Sequence, residues 1–283
     1  MSVWILKLQC PDQVGIVAKV SEIIAKYKGW IVAASQYADE KAQQFFMRVE
    51  IRKNSLSCTP EEFKAALEAL AKPFHMVWNL VDMDVKKRTV IFASKDYHCL
   101  SDLLARYVSK DLEMNLVAII ANHPDHQALV EAHGVPYHYV PFVAGDNAAT
   151  FATITQLLKT LTPDLIILAR FMRILPEAVC QQYVGKIINI HHSFLPAFVG
   201  ANPYERAIDA GVKMIGATCH YVTAELDQGP IIEQDVIRIH HHHTLNQVKQ
   251  LSKDIEKITL AKGVRYHLEE RIMIDQNKTL IFD

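Results

Sequence analysis

Short apolar runs rich in β-branched residues alternate along the chain with longer helical stretches, and their order separates two regions. From Val3 to Met83 the pattern predicts strand (Val3–Cys10), helix (Gln13–Lys28), strand (Trp30–Tyr37), strand (Gln44–Arg52), helix (Thr59–Pro73) and strand (His75–Met83). That βαββαβ order is ferredoxin-like. Thr59-Pro60-Glu61-Glu62 marks the start of the second helix, because Thr59 can cap, Pro60 suits the first turn and Glu62 stands at the capping-box position. Gly29 ends the first helix. Asp84 to Arg88 is a short charged joint. Beyond it, Thr89–Ser94, Asn115–Ala121, Tyr137–Val140, Asp164–Leu168 and Lys186–Ile190 read as strands, mostly separated by helices, which predicts a doubly wound, mostly parallel α/β sheet. A strand over Lys213–Tyr221, a long helix over Thr244–Glu269 and a final run over Arg271–Phe282, turning at Gln276-Asn277, are expected to complete it. The expected division is a small domain over residues 1–84 and a large one over 88–283.

Candidate chemistry gathers at the end of one strand. Asn189 and His191 are two residues apart, and alternate residues of a strand share a face, so amide and imidazole project together. Asp227 opens the turn Asp227-Gln228-Gly229-Pro230 after the strand ending at Tyr221, so a carboxylate can join them from a neighbouring strand end, where open α/β sheets place ligands. Two donors for an oxyanion and a group to manage a proton suit attack on a small carbonyl. Which of His191 and Asp227 moves the proton depends on burial and coupling and stays open. Spacing alone also leaves a structural role open for each, since a lone strand-end histidine or an Asp-Gln-Gly turn is common without chemistry.

Composition narrows the classes. A net charge of −1 gives no basic excess to draw the chain to nucleic acid or anionic lipid. The five cysteines, Cys10, Cys58, Cys99, Cys180 and Cys219, include no C-x-x-C pair, so neither a disulfide framework nor a zinc site is expected. Lys7 breaks the apolar amino terminus and no long apolar run follows, so no membrane span is expected and the cytoplasm is the expected compartment. His240 to His243 would point to alternate faces of a strand, so no functional metal is expected there.

The motifs sharpen this. Asn189-Ile-His-His-Ser-Phe-Leu-Pro, with Gly216-Ala-Thr-Cys-His-Tyr-Val-Thr-Ala-Glu-Leu-Asp-Gln-Gly-Pro, resembles the folate-dependent formyltransferase family in its N-x-H…S-x-L-P and H-x-V-T…L-D-x-G-P pattern, over residues 88 to 283. The variants His192-Ser-Phe-Leu-Pro-Ala-Phe198 and Gly200-Ala-Asn-Pro-Tyr204 look like its hydrolytic, deformylase branch. The resemblance implies that 10-formyltetrahydrofolate and water become formate and tetrahydrofolate at Asn189, His191 and Asp227, with no cofactor beyond the folate substrate. It also implies that the segment carrying Arg173, Ile174 and Leu175 holds the pterin ring and that the loop carrying Val222 and Leu226 closes over it, although Phe171, Ile174 and Leu175 would serve equally as core. Family members acting on a phosphoribosyl amine carry a Gly-rich phosphate cradle where this chain has Ala93 to Leu100 without a glycine, which favours water as acceptor. A transferase acting on tRNA would need a further domain and a basic face.

Cys10-Pro-Asp-Gln-Val-Gly-Ile-Val and Phe45 to Glu50 resemble an ACT regulatory domain, so a small amino-acid effector is expected at Asp12 and Gly15. Gly15 would serve a plain tight turn equally well, and Gln43-Gln44 departs from the glycine such deformylases often carry there. Sheet edges and the ACT resemblance lead to the expectation of a homo-oligomer. Two alternatives to hydrolysis stand: formyl transfer to an unphosphorylated amine, and a non-catalytic amino-acid or folate sensor.

Overall fold

The computed structural model describes residues 2–142, 147–196 and 203–283, which form two compact units. In the first unit, β1 (Val3–Pro11), α1 (Ile16–Lys26), β2 (Ile31–Asp39), β3 (Gln44–Arg52), α2 (Pro60–Phe74) and β4 (Val77–Asp82) follow the expected βαββαβ order. Their antiparallel sheet runs β2-β3-β1-β4. Leu6, Leu8, Val49 and Ile51 of the sheet bury against Val20 and Ile24 of α1 and Phe63 and Leu67 of α2. The Thr59 hydroxyl accepts from the Glu62 backbone N–H at 3.2 Å, and the Glu62 carboxylate accepts from the Thr59 N–H at 2.9 Å, completing a capping box.

Boundaries differ from expectation where the backbone turns left-handed. The first helix begins at Ile16 rather than Gln13, because Gly15 before it sits at φ 97°, in the left-handed region. The second helix continues through Pro73 to Phe74 and stops at His75, itself left-handed at φ 52°, so β4 starts at Val77 rather than His75.

The second unit contains β5 (Arg88–Ala93), α3 (His98–Val108), β6 (Asn115–Ala121), α4 (Gln127–Glu131), β7 (Tyr137–Tyr139), α5 (Asn147–Leu161), β8 (Leu165–Ala169), α6 (Glu177–Gln182), β9 (Ile187–His191), α7 (Pro203–Asp209), β10 (Met214–Tyr221), β11 (Ile231–Arg238) and α8 (Leu245–Leu268). Its seven strands run β11-β10-β9-β8-β5-β6-β7. β5 to β9 pair in parallel, whereas β10 is antiparallel to both β9 and β11. β5 and β8 are buried along almost their whole length, which is why they read as unbroken apolar runs. After β7 the chain crosses to β8 on the other side of β5, and such a reversal opens a crevice beyond the carboxyl ends of the strands. Gly263 lets α8 close on the sheet, since a Cβ there would stand 2.3 Å from Cys219 Sγ.

The chain ends in a hairpin of β12 (Ile272–Asp275) and β13 (Lys278–Ile281) that turns at Gln276. Residues 274–279 count with the second unit, but 269–273 and 280–283 count with the first, so the final run does not simply complete the larger sheet. The reason is apolar burial: Met273 and Phe282 cluster with Phe46 of β3. No described helix is long and apolar enough to cross a membrane.

Candidate active site

Asn189 and His191 occupy alternate positions near the end of β9, and β10 places His220 opposite Asn189 and Thr218 opposite His191. Because β10 runs antiparallel to β9, it ends at Tyr221 beside Ile188, away from His191. Asp227 therefore follows the neighbouring strand, as expected, but reaches His191 only by returning on a loop. That loop is closed by the Tyr221 N–H donating to the Pro230 carbonyl at 2.9 Å. A Cβ on Gly229 would lie 1.8 Å from the Tyr221 carbonyl oxygen, so only glycine fits the closure. Asp227 itself is left-handed, at φ 55°.

The returning loop completes a compact polar group. His191 Nδ1 lies 3.3 Å from Asp227 Oδ2, and His220 Nε2 lies 3.7 Å from Asp227 Oδ1. Hydrogen bonding to His191, then to His220, holds the Asp227 carboxyl well below the usual carboxylate range. His220 Nδ1 lies 2.8 Å from the Tyr221 carbonyl oxygen and its Nε2 lies 3.2 Å from the Asn189 amide nitrogen, so contacts at both nitrogens orient the ring. His191 Nε2 is buried without a hydrogen-bond partner. An unpaired buried polar atom costs about 1–3 kcal/mol, and here it sits on the wall of a cavity.

That cavity has a volume of about 620 Å³ and is lined by Asn189, His191, His220 and Asp227. All five residues expected at the folate also line it: Arg173, Ile174, Leu175, Val222 and Leu226. Leu175 is buried, Val222 half-buried, and Ile174 and Leu226 are exposed apolar side chains. Arg173 lies over the Phe142 ring, 4.8 Å from its centroid. Phe171 is buried and meets Phe92 edge to face at 5.1 Å, as well as lining the cavity. Ala197, Phe198 and Gly200-Ala201-Asn202 lie outside the described residues.

A second polar group adjoins the first and is not evident from sequence. Glu256, buried in α8, accepts from Tyr204 OH and from Ser252 Oγ, each at 2.9 Å, and its other oxygen meets His98 Nε2 at 2.8 Å and Arg170 Nε at 3.5 Å. Burial by itself would raise the Glu256 carboxyl, but the His98 hydrogen bond and the Arg170 charge hold it down to about 2. Arg170 and Tyr204 line both the main cavity and a polar one of about 390 Å³. The available signal was the row Ser252, Glu256, Thr259 and Gly263 along one face of a long helix. His220 stands within the H-x-V-T motif, but only strand pairing assigns it a partner.

Other candidates resolve differently. His98, Cys99 and Glu256 bring ligand-type atoms within 4.8 Å of one another, yet Glu256 is already engaged, and burial, then the Glu256 charge, push the Cys99 thiol up, against metal ligation. His240 to His243 lie on the turn before α8 and not on a strand, so alternation does not separate them: the His242 and His243 rings are 4.8 Å apart. Asp12 and Gly15 are exposed on the turn between β1 and α1 of the first unit. All five cysteines are free thiols.

Residues 87–264 match the formyl transferase family. Over 279 residues the chain is 40% identical to a formyltetrahydrofolate deformylase of Bacillus subtilis, covering 98% of this chain and 93% of that protein. The crystal structure of a formyltetrahydrofolate deformylase from Pseudomonas syringae superposes with a TM-score of 0.98 at 47% identity, covering 100% of this chain and 95% of that one. A phosphoribosylglycinamide formyltransferase from Anaplasma phagocytophilum matches with a TM-score of 0.64 at 30% identity, covering 70% of this chain and 96% of that one. Similarity to the deformylases thus runs through the chain, while similarity to that transferase does not.

Proposed function

Because the chain belongs to the formyltetrahydrofolate deformylase family, within the wider formyl transferase family, we infer that it hydrolyses 10-formyltetrahydrofolate to formate and tetrahydrofolate, and we propose that Asn189, His191 and Asp227 do the chemistry. The convergence of these three side chains on one cavity carries the proposal. A formamide carbon resists water because the nitrogen lone pair is delocalised into its carbonyl, and attack makes an oxyanion that needs donors already in place. Asn189 Nδ2 and protonated His191 Nε2 are the donors, a contribution of about 10²–10³ in turnover for each. Asp227 is suited to holding His191 rather than to taking a proton from water, since its two oxygens already face the His191 and His220 ring nitrogens.

The apolar wall of Ile174, Leu175, Val222 and Leu226 suits a flat heterocycle, and Arg173 at its rim suits an anionic part of the substrate. The reaction so read needs no metal and no cofactor beyond folate.

The first unit supplies none of the three reacting groups, which supports a regulatory role, with a small amino acid held near Asp12 and Gly15. The exposed apolar side chains Trp30, Ile31, Val32 and Tyr37, on or beside edge strand β2, support a homo-oligomer. Free thiols fit the cytoplasm.

Incubation of the full chain with 10-formyltetrahydrofolate alone tests the reading. Formate release supports hydrolysis, turnover only on adding an amine supports transfer, and no turnover supports a sensor.

A further inference from the structure

Hydrolysis requires one group beyond the oxyanion donors: something must take the proton that water loses as it adds to carbon. Among the described residues that line the main cavity, most ionisable groups are already committed. Asp227 faces His191 and His220, and His220 is bonded at both nitrogens. Tyr204 OH is held by Ser252 and Glu256, and burial, then the Glu256 charge, push it up. Arg170 and Lys249 are cations, and Glu205 is an exposed carboxylate on α7. His191 is required as a donor.

His192 is different. It follows β9 directly and lies between two rings, 5.1 Å from the His191 centroid and 5.6 Å from that of Tyr204. It lines the same cavity as Asn189 and His191, and its ring nitrogens make no hydrogen bond among the described residues. The two neighbouring rings hold the imidazole in place without occupying its nitrogens.

We propose that His192 is a further catalytic residue, receiving a proton from the attacking water and passing it to the departing nitrogen. The water oxygen bonds to the formyl carbon while one O–H proton moves to a His192 ring nitrogen. Negative charge then rests on the former carbonyl oxygen, opposite Asn189 and His191. As that carbonyl re-forms, the C–N10 bond breaks, N10 keeps the electron pair and takes the proton from His192, and formic acid remains to ionise in solvent. Water thus supplies one oxygen and one hydrogen to formic acid and one hydrogen to the amine. His192 ends as it began.

The charges around the ring keep it unprotonated at rest. Burial, then the Arg170 guanidinium and His191, outweigh Glu256 and Asp227 and push the His192 imidazole down to about 4, so it rests neutral with a lone pair free. A ring that holds a proton weakly also releases it readily to an amine.

The proposal rests on the hydrolase reading, and one set of experiments separates the two. Formate release by wild type, His192→Ala and His192→Gln is followed across pH, with tetrahydrofolate affinity by calorimetry and a thermal melt for each. The expected result is a kcat loss of about 10²–10⁴-fold in both variants, with little change in KM or folate affinity. The residual rate should rise with hydroxide concentration, because hydroxide needs no base, a dependence that a merely structural lesion would not produce. A kcat within about threefold of wild type in either variant, or a residual rate with the wild-type pH profile, would overturn the role of His192. An inactive wild type would instead remove the hydrolase reading, and this inference with it.

Discussion

His191 faces in two directions: Nδ1 lies 3.3 Å from the Asp227 carboxylate, while Nε2 is buried with no partner. The carboxylate accepts from the Nδ1–H and so turns Nε2 toward the cavity, where it can donate once the ring carries a proton on each nitrogen. Asp227→Asn keeps the shape and tolerates the left-handed backbone, yet removes the charge. Turnover should fall about 10²–10⁴-fold, measured as formate release. The native carboxyl is held below its unfolded value, so its stabilisation is present above that value, about 3.9, and is lost as pH falls below it. Melting curves taken between neutral and acid pH should show a weaker acid dependence in the variant.

Asn189→Ala and His191→Ala remove the two oxyanion donors. Each should lower kcat about 10²–10³-fold with little change in KM, because the charge they meet exists only during reaction. Steady-state kinetics distinguish this from substrate binding, where KM would rise and kcat would hold.

Gly229→Ala tests the loop that returns Asp227 to the site. Its Cβ would overlap the Tyr221 carbonyl oxygen, at 1.8 Å, and backbone has to move to relieve that. A stability loss of about 1–3 kcal/mol is expected by melting. Formate release should fall as well, although residue 229 bears no reacting group. Unchanged activity would mean that the loop does not set the position of Asp227.

Glu256→Gln tests the buried network. The Glu256 carboxyl sits near 2 against an ordinary 4.5, so the charge stabilises the fold above about 4.5 and that contribution fades as pH falls toward 2. The variant should lose about 3–5 kcal/mol at neutral pH, because His98 and Arg170 lose a buried partner. Melts at neutral pH and near pH 3 should differ less in the variant than in wild type.

Calorimetry on the full chain with small amino acids, glycine and methionine first, tests the first unit. Binding accompanied by a changed rate of formate release supports a regulatory domain at Asp12 and Gly15. No heat and no rate change across the common amino acids would leave it a structural or oligomerising unit.

Much of the fold was legible in the residues because its signals are short. A capping box lies within Thr59 to Glu62, strand alternation sets Asn189 and His191 on one face, and a turn is written in Asp227-Gln228-Gly229-Pro230. Each depends on neighbours a few residues apart, whose local energies do not wait for the rest of the chain. The apolar runs likewise declared a sheet buried on both faces before its strand order was known. Tertiary structure decided which strands pair and in which direction. Nothing near Tyr221 states that β10 lies antiparallel beside β9, yet that pairing sets His220 against Asn189 and requires Asp227 to fold back. Nothing near Glu256 names His98, 158 residues earlier, as its partner. The carboxyl-terminal run gives no local sign that Met273 and Phe282 bury against Phe46. Partners so distant in sequence are selected by the total burial and hydrogen bonding of the whole unit, a sum that no short stretch of residues contains.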